Sequence, residues 1–362
     1  MLQPSKSTFQ IDTKTVAPLM QIEPTSTKDK DRTTNTKASM VRTKKRTVLV
    51  DGQFFEIPYF SANGERGIMR RNLTSNIFSK IEEADGGKMG IKELQLYGSG
   101  GTEAVDGIKG LNYVEQARLR AINPFISLFG AGLSDMDGKL AICDLAPNIQ
   151  MSAEEMKKMR FIGMTYGVRF DDTGRQSVLS PLISEDEIAS YMKKLEEKRK
   201  NDKALYKLED EVKKLQELDK EDKLSEKQKE ELFEKEVKLE EDKKEKGLSY
   251  QQVFKAEHIN PGIELFSSIA PRAGHTFTEL EKSMLLYGLF TLSQQSIGSW
   301  GRVGYGRLAW HVKNEDGQTL FKSTPDPRYT FTCHVEWTKE GEEMLKPFDQ
   351  WLENIKREDL VF

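Results

Sequence analysis

The sequence predicts an α+β protein into which a charged helical hairpin is inserted, and three observations predict it. Phe9 to Val16 and Thr47 to Phe60 have the alternating or β-rich character of strands. Residues 66 to 83 and 278 to 296 instead space their apolar side chains for one face of a helix. Residues 191 to 246 hold eighteen Lys/Arg and nineteen Asp/Glu around a thin apolar stripe, the pattern of a solvated helix pair. A chain of 362 residues can bury one large core or two ordinary ones.

Taken in order, Phe9 to Gln21 reads as a strand interrupted at Pro18, and residues 24 to 46, rich in Thr, Ser, Lys and Arg without apolar periodicity, as a mobile basic loop. Residues 1 to 46 carry ten Lys/Arg against four Asp/Glu, a local +6 hidden inside an overall charge of −3. Asp51-Gly52 between two apolar runs signals a hairpin, because that dipeptide accepts the positive φ angles of a type I′ turn. The following helix places Ile68, Met69, Leu73, Ile77 and Ile81 on one side and ends at Gly86-Gly87. A further helix, YVEQARLRAI, precedes NPFISLFGAG, and strands are expected near 139 to 144, 161 to 170 and 307 to 313. Ser152/Glu155, Ser184/Glu187, Ser225/Gln228 and Thr278/Glu281 fit capping boxes. Between the second and third of these, Leu205, Leu208, Val212 and Leu215 form one stripe, and Leu232, Val237 and Leu239 a weaker one on the returning arm. The first arm would reach about 50 Å at 1.5 Å per residue, serving a protein contact, a spacer, or no partner at all. In the helix 278 to 296, Leu280, Met284, Leu285, Leu289, Phe290 and Leu292 make a wide stripe suited to packing on a sheet.

Several chemistries are set aside. Cys143 and Cys333 alone give neither a disulfide-stapled fold nor a cysteine zinc site, and a reducing cytoplasm is the natural setting. No apolar run is long enough for a membrane span. GAGLSDMDG lacks the Walker lysine and the dinucleotide glycine pattern, and its Asp135 and Asp137 lack the later ligands of a calcium loop. His258, His275, His311 and His334 show no ligand spacing, so no metal and no cofactor is expected.

Two clusters point to nucleic acid. Arg66, Arg70 and Arg71 crowd the start of a helix, where the dipole disfavours cations, so they either face an anionic partner or stand exposed without one. In IGSWGRVGYGRLAWHV, glycines interleave with Trp300, Arg302, Tyr305 and Arg307. Glycine lets backbone N–H groups approach phosphate, while arginine and an aromatic ring supply charge and a stacking face.

Four passages in order then resemble one family. IPYFSANGERGIMRR is similar to an Ile-Pro, (K/R)-Gly, hydrophobic, Arg signature, and SLFG with GKLAICDL to a Leu-Phe-Gly and strand-Asp segment. VRFDDTGR is similar to an Asp-Arg-x-Thr-Gly turn, and IGSWGRVGYGRL to a glycine-rich loop. The family is the RAMP superfamily, specifically the backbone subunit that coats the guide RNA in class 1 CRISPR effector complexes, and the double arginine and length look most like the type IV subunit.

The resemblance implies an RRM-like ferredoxin core acting as palm, with finger and thumb insertions, spanning 1–184 and 248–362 around a hairpin at 185–247. It implies a cytoplasmic, non-catalytic subunit that polymerises head to tail on guide (CRISPR) RNA and presents it to target DNA or RNA, alongside other effector subunits and no membrane. The residues expected on RNA are Arg66, Arg70 and Arg71, Trp300, Gly301, Arg302, Gly304 and Arg307, and Lys28, Lys30, Arg32, Lys44, Lys45 and Arg46 in the thumb-like loop 24–46. One alternative is a type III-like subunit cleaving target RNA with Asp29 or Asp31. Another is a helical scaffold unrelated to CRISPR, which leaves the arginines and glycine loop unexplained.

Overall fold

FQIDTKT alternates so regularly that β1 (Phe9–Thr15) buries Phe9, Ile11, Thr13 and Thr15 on one face. In the computed structural model β1 pairs antiparallel on one side with β9 (Glu264–Pro271) and on the other with β10 (Leu308–Asn314), so that Ile11 stands between Ser267 and Val312. The structure describes residues 7–22, 39–86, 88, 90–99, 112–131, 136–170, 207–208, 210–212, 215–216, 228, 231–237, 251–326 and 332–360.

After β1 come β2 (Ser39–Val41), β3 (Lys45–Val50), β4 (Gln53–Pro58), α1 (Ala62–Asp85), α2 (Ile91–Leu94) with a wide turn over Gln95–Ser99, α3 (Tyr113–Ile122) and α4 (Pro124–Phe129). Then follow β5 (Leu140–Ile142), β6 (Ala146–Pro147), α5 (Ala153–Lys158), β7 (Ile162–Phe170), β8 (Gln251–Ile259), β9, α6 (Glu279–Ser293), β10, β11 (Thr319–Pro325), β12 (Cys333–Trp337) and α7 (Lys339–Asn354). The large sheet has the order β12-β11-β10-β1-β9-β5, with β6 also on β9, and β2-β8-β7 and β3-β4 form separate sheets. Every pair in the large sheet is antiparallel. In sequence, β1, α1, β5 and β9, α6, β10 are two β-α-β units, each leaving one strand of the other between its own two.

Local chemistry accounts for the boundaries. Asp51 (φ 48°) and Gly52 (φ 76°) make the expected hairpin turn, with Val50 opposite Gln53. α1 begins a turn earlier than its apolar stripe, because Ser61 caps it by accepting from the Gly64 amide, and it ends at Gly86 in the left-handed region. The boxes at Ser152/Glu155 and Thr278/Glu281 form, joined by one at Asn112/Glu115. The first strand stops at Thr15 instead of continuing toward Gln21, and Leu19 makes only an isolated bridge to Ile259. The basic loop is shorter than expected: 39–41 and 45–50 are strands, since Met40-Val41 and Thr47 to Val50 have the β-branched and apolar side chains that pair.

The chain divides into two compact units, one comprising 1–29, 40–166 and 255–362, the other 30–39 and 167–254. The expected insertion 185–247 falls inside the second. There Val212 and Leu232 bury together against Leu208 and Leu215, and Lys235 pairs with Glu211 and Glu231. Val237, expected on that stripe, is exposed, since five residues past Leu232 is about 140° around a helix. Leu205, Leu239, Ser184/Glu187, Ser225 and the Asp-Asp-Thr-Gly turn at 171–174 lie outside the described residues.

In the first unit, Met69, Leu73, Ile77 and Ile81 of α1 and Met284, Leu285, Leu289 and Leu292 of α6 share one core with Phe9, Ile11, Trp310 and Val312 of the sheet. Three ionisable groups sit in or against it. Lys139 Nζ contacts Glu281 Oε1 at 2.8 Å, with Glu281 almost fully buried. Glu281→Ala therefore strands a lysine, and urea unfolding should show a loss of about 3 kcal/mol or more, partly recovered by adding Lys139→Met. Glu65 of α1 is fully buried and neither carboxyl oxygen has a hydrogen-bond partner. Burial first, and the Asp144 charge second, push its pKa well up, while the nearby Leu145 amide already donates to the Phe60 carbonyl. A carboxyl raised in the folded state favours folding when protonated, so stability falls as pH climbs above the unfolded pKa of about 4.3. Glu65→Gln should be more resistant to urea than the parent at pH 7, with the difference vanishing below about pH 4.

Candidate nucleic-acid interface

β1 gives way to Val16–Gln21, and this segment is bonded on all sides. Val16 and Ala17 donate to the Arg307 carbonyl at 2.9 and 3.2 Å, and the Gly306 amide donates to the Pro18 carbonyl at 2.7 Å. Leu19 and Ile259 exchange backbone bonds of 3.1 and 2.7 Å, and the Ser299 amide donates to the Met20 carbonyl at 2.7 Å. Gln21 reaches the start of α1: its Nε2 donates to Ser61 Oγ at 2.8 Å, and the Ser61 amide donates to its Oε1 at 2.7 Å. Pro18 to Gln21 thus ties the glycine-rich loop and the first turn of the arginine helix to the same four residues.

Between Ile297 and Leu308 the loop turns tightly. Gly306 has φ 77°, and a Cβ there would fall 1.8 Å from the Ile297 carbonyl oxygen, so the closure excludes any side chain. Gly304 has φ 91° with nothing within 4 Å of where a Cβ would be, leaving its backbone open to close approach. Trp300 adopts the left-handed region (φ 63°), an uncommon conformation for a bulky residue. Its ring meets Tyr305 edge-on at 5.4 Å; Tyr305 in turn shares a 2.7 Å hydroxyl bond with Thr165 and lies against buried His258. A cleft of about 330 Å³ opens behind Gly301, lined among others by Gln295, Ser296, Arg302, Arg307 and Cys333.

The expected cations separate by burial. Arg66, Arg71 and Arg302 are exposed. Gly67 makes room for Arg71, whose Nη1 would lie 3.3 Å from a Cβ there. Arg70 is a correction: it is buried, and its guanidinium donates to the carbonyls of Tyr97 (2.8 Å), Leu96 (2.7 Å), Gly130 (3.1 Å) and Phe129 (3.4 Å). The anionic partner inferred for it is the protein's own helix ends, where carbonyls lack intrahelical donors. Burial first, then the Arg66 charge, lowers its pKa to about 10. Arg307 is likewise buried, with Nη2 donating to Thr332 O at 2.8 Å and Nη1 to Asp326 O at 3.4 Å, so it closes the β11–β12 connection as well as lining the cleft.

Lys45 and Arg46 lie on β3, not in a loop, with Lys44 just before it. Lys45 pairs with Glu257 at 3.0 Å, and Arg46 Nη1 stands 3.5 Å from Asp144 Oδ2, whose Oδ1 accepts from the first amide of α1. The first pair ties the hairpin to β8 and the second ties it through Asp144 to the start of α1, the physical reason they differ from free thumb cations. Lys28, Asp29, Lys30, Asp31 and Arg32 lie outside the described residues. Among the described residues no three His, Cys, Asp or Glu side chains gather as metal ligands, and no helix is long and apolar enough to cross a membrane.

Arg70→Ala should therefore lower stability by about 3 kcal/mol or more in urea unfolding, with Arg70→Lys recovering little because a point charge cannot serve four divergent carbonyls. Any effect on nucleic-acid affinity should track the unfolded fraction alone, checked by binding assays below the unfolding transition.

No family model matches the chain. No curated protein matches it. Among solved structures the chain is similar to one in a structure titled "Type IV-B CRISPR Complex", with 13% sequence identity and a TM-score of 0.44, covering 84% of this chain and 90% of that one.

Proposed function

We propose that the chain is a guide-RNA-binding backbone subunit of a class 1 CRISPR effector complex, of type IV character, acting in the cytoplasm without catalysis of its own. The spatial order β10-β1-β9-β5 built by two interleaved β-α-β units fits an RRM-like ferredoxin palm. The observation that carries the reading is the attachment of the glycine loop and the arginine helix to Pro18–Gln21. Two of the family-like passages, far apart in sequence, meet at one segment. Exposed Arg66, Arg71 and Arg302 then grip phosphates, Gly304 with open space beside it admits the backbone of the strand next to Gly301, and Trp300 offers a ring face. Lys28, Lys30 and Arg32 add charge from the thumb-like loop. Copies follow one another head to tail along the guide and present its bases for pairing with target DNA or RNA beside the other effector subunits.

Purification from cells carrying a repeat array, with sequencing of the RNA that travels with the protein, is expected to return repeat-derived guides; random RNA or none would overturn the reading. Replacing Arg66 and Arg71 together by Ala should weaken binding of unrelated RNA sequences equally and reduce the slope of log affinity against log salt by about 1 to 2, at unchanged urea midpoint.

A further inference from the structure

α3 has an unusual outward face. It is ten residues long, about 15 Å, and none of them is buried. Leu119 turns toward the core and Arg120 donates to the Asp137 carbonyl, so the helix is held on one side. The other side carries Tyr113, Val114, Ala117, Ala121 and Ile122, with Tyr113 89%, Val114 65% and Ile122 64% exposed. A helix resting on a protein ordinarily turns its polar side outward. Here the outward face is mainly apolar, with Arg118 between Val114 and Ile122 and Glu115 at its edge beside Ile122.

The same unit carries a matching recess. Between β4 and α5 lies a groove of about 240 Å³ whose walls are Phe55, Met156, Met159, Phe161 and Ile162, with Glu56 and Arg160 as its charged lining. On the hairpin face that Glu56 shares, Leu49 and Phe54 stand directly opposite each other, 62% and 77% exposed. The hairpin is anchored, because Asp51 Oδ2 accepts from the first amide of α5 at 2.8 Å. Methionines suit such a recess, since an unbranched thioether adapts to the side chain it receives.

We propose that the α3 face of one copy docks in the β4–α5 groove of a second copy. The charges pair in that sense: Arg118 within the apolar face meets the largely exposed Glu56, whose other neighbour is Lys45 at 3.9 Å, and Glu115 meets Arg160. A short amphipathic helix laid in an apolar groove is an established recognition geometry. Because donor face and receiving groove are different patches, the contact is heterologous, leaving one of each free for the next copy. The inference rests on the polymerising reading above and supplies the surfaces for it.

The test is self-association of the full chain, followed by sedimentation across a concentration series without RNA. Wild type should form species whose mass rises with concentration, and Val114→Glu with Ile122→Glu should weaken association at least about tenfold. Glu56→Arg alone and Arg118→Glu alone should each weaken it about fivefold by opposing like charges. An equimolar mixture of the two should recover wild-type assembly, since every contact between unlike variants regains an opposite-charge pair. A wild type that stays monomeric or stops at a dimer, single reversals that assemble normally, or a mixture no better than either variant would each overturn the contact. Binding of a short RNA by the Val114/Ile122 variant, expected to equal that of a wild-type monomer, reads the RNA assignment separately. Assembly that behaves as described, in a protein that binds no RNA when RNA is added, would keep the contact and remove the RNA role.

Discussion

Pro18 to Gln21 is the constraint on which the candidate interface depends. Leu19 and Met20 are fully buried, and a buried segment without regular structure must find partners for its peptide groups elsewhere. It finds them in the glycine loop, β8 and the approach to β3, and its last side chain holds Ser61, the cap of α1. Loop and helix are thereby placed by peptide geometry and not by their own flexible side chains. A binding surface assembled this way loses little conformational freedom when a ligand arrives.

The same physics sorts the arginines. A guanidinium can be buried where several carbonyls converge, and Arg70 and Arg307 occupy such places. Each directs its donors to main-chain carbonyls near element ends and so holds together stretches distant in sequence. Arg71 sits about 100° around the helix from Arg70 and stays outside, while Arg66, four residues before Arg70 and near the helix start, is exposed although it shares that side of the helix. Adjacent residues in one basic motif therefore differ in burial.

Much of this was legible from residues alone. The hairpin at Asp51-Gly52, the capped starts at Ser152 and Thr278, and the faces of α1 and α6 follow local rules that tertiary packing did not override. The burial of Arg70 beside an exposed Arg71 was not legible, because burial of an arginine depends on carbonyls contributed from 96–97 and 129–130. Gln21 gave no signal either: it read as the end of a strand interrupted at Pro18, and only the fold brings Ser61 to it. Lys45 and Arg46 read as loop cations because their acidic partners, Glu257 and Asp144, are distant in sequence. For the glycine loop, composition located the turn, while the reason for Gly306 lies in a carbonyl nine residues earlier.

The position of β1 has a consequence for how the molecule is made. The first strand of the chain is interior to the large sheet, and its two neighbours lie at 264–271 and 308–314. During synthesis the apolar face of Phe9 and Ile11 has neither neighbouring strand of the large sheet to pair with until residues 264–271 have emerged. At about 5–20 residues per second that interval is on the order of tens of seconds. The sheet closes around a strand made well before both of its neighbours, a high contact-order route on which that unpaired strand is open to chaperones and to neighbouring nascent chains.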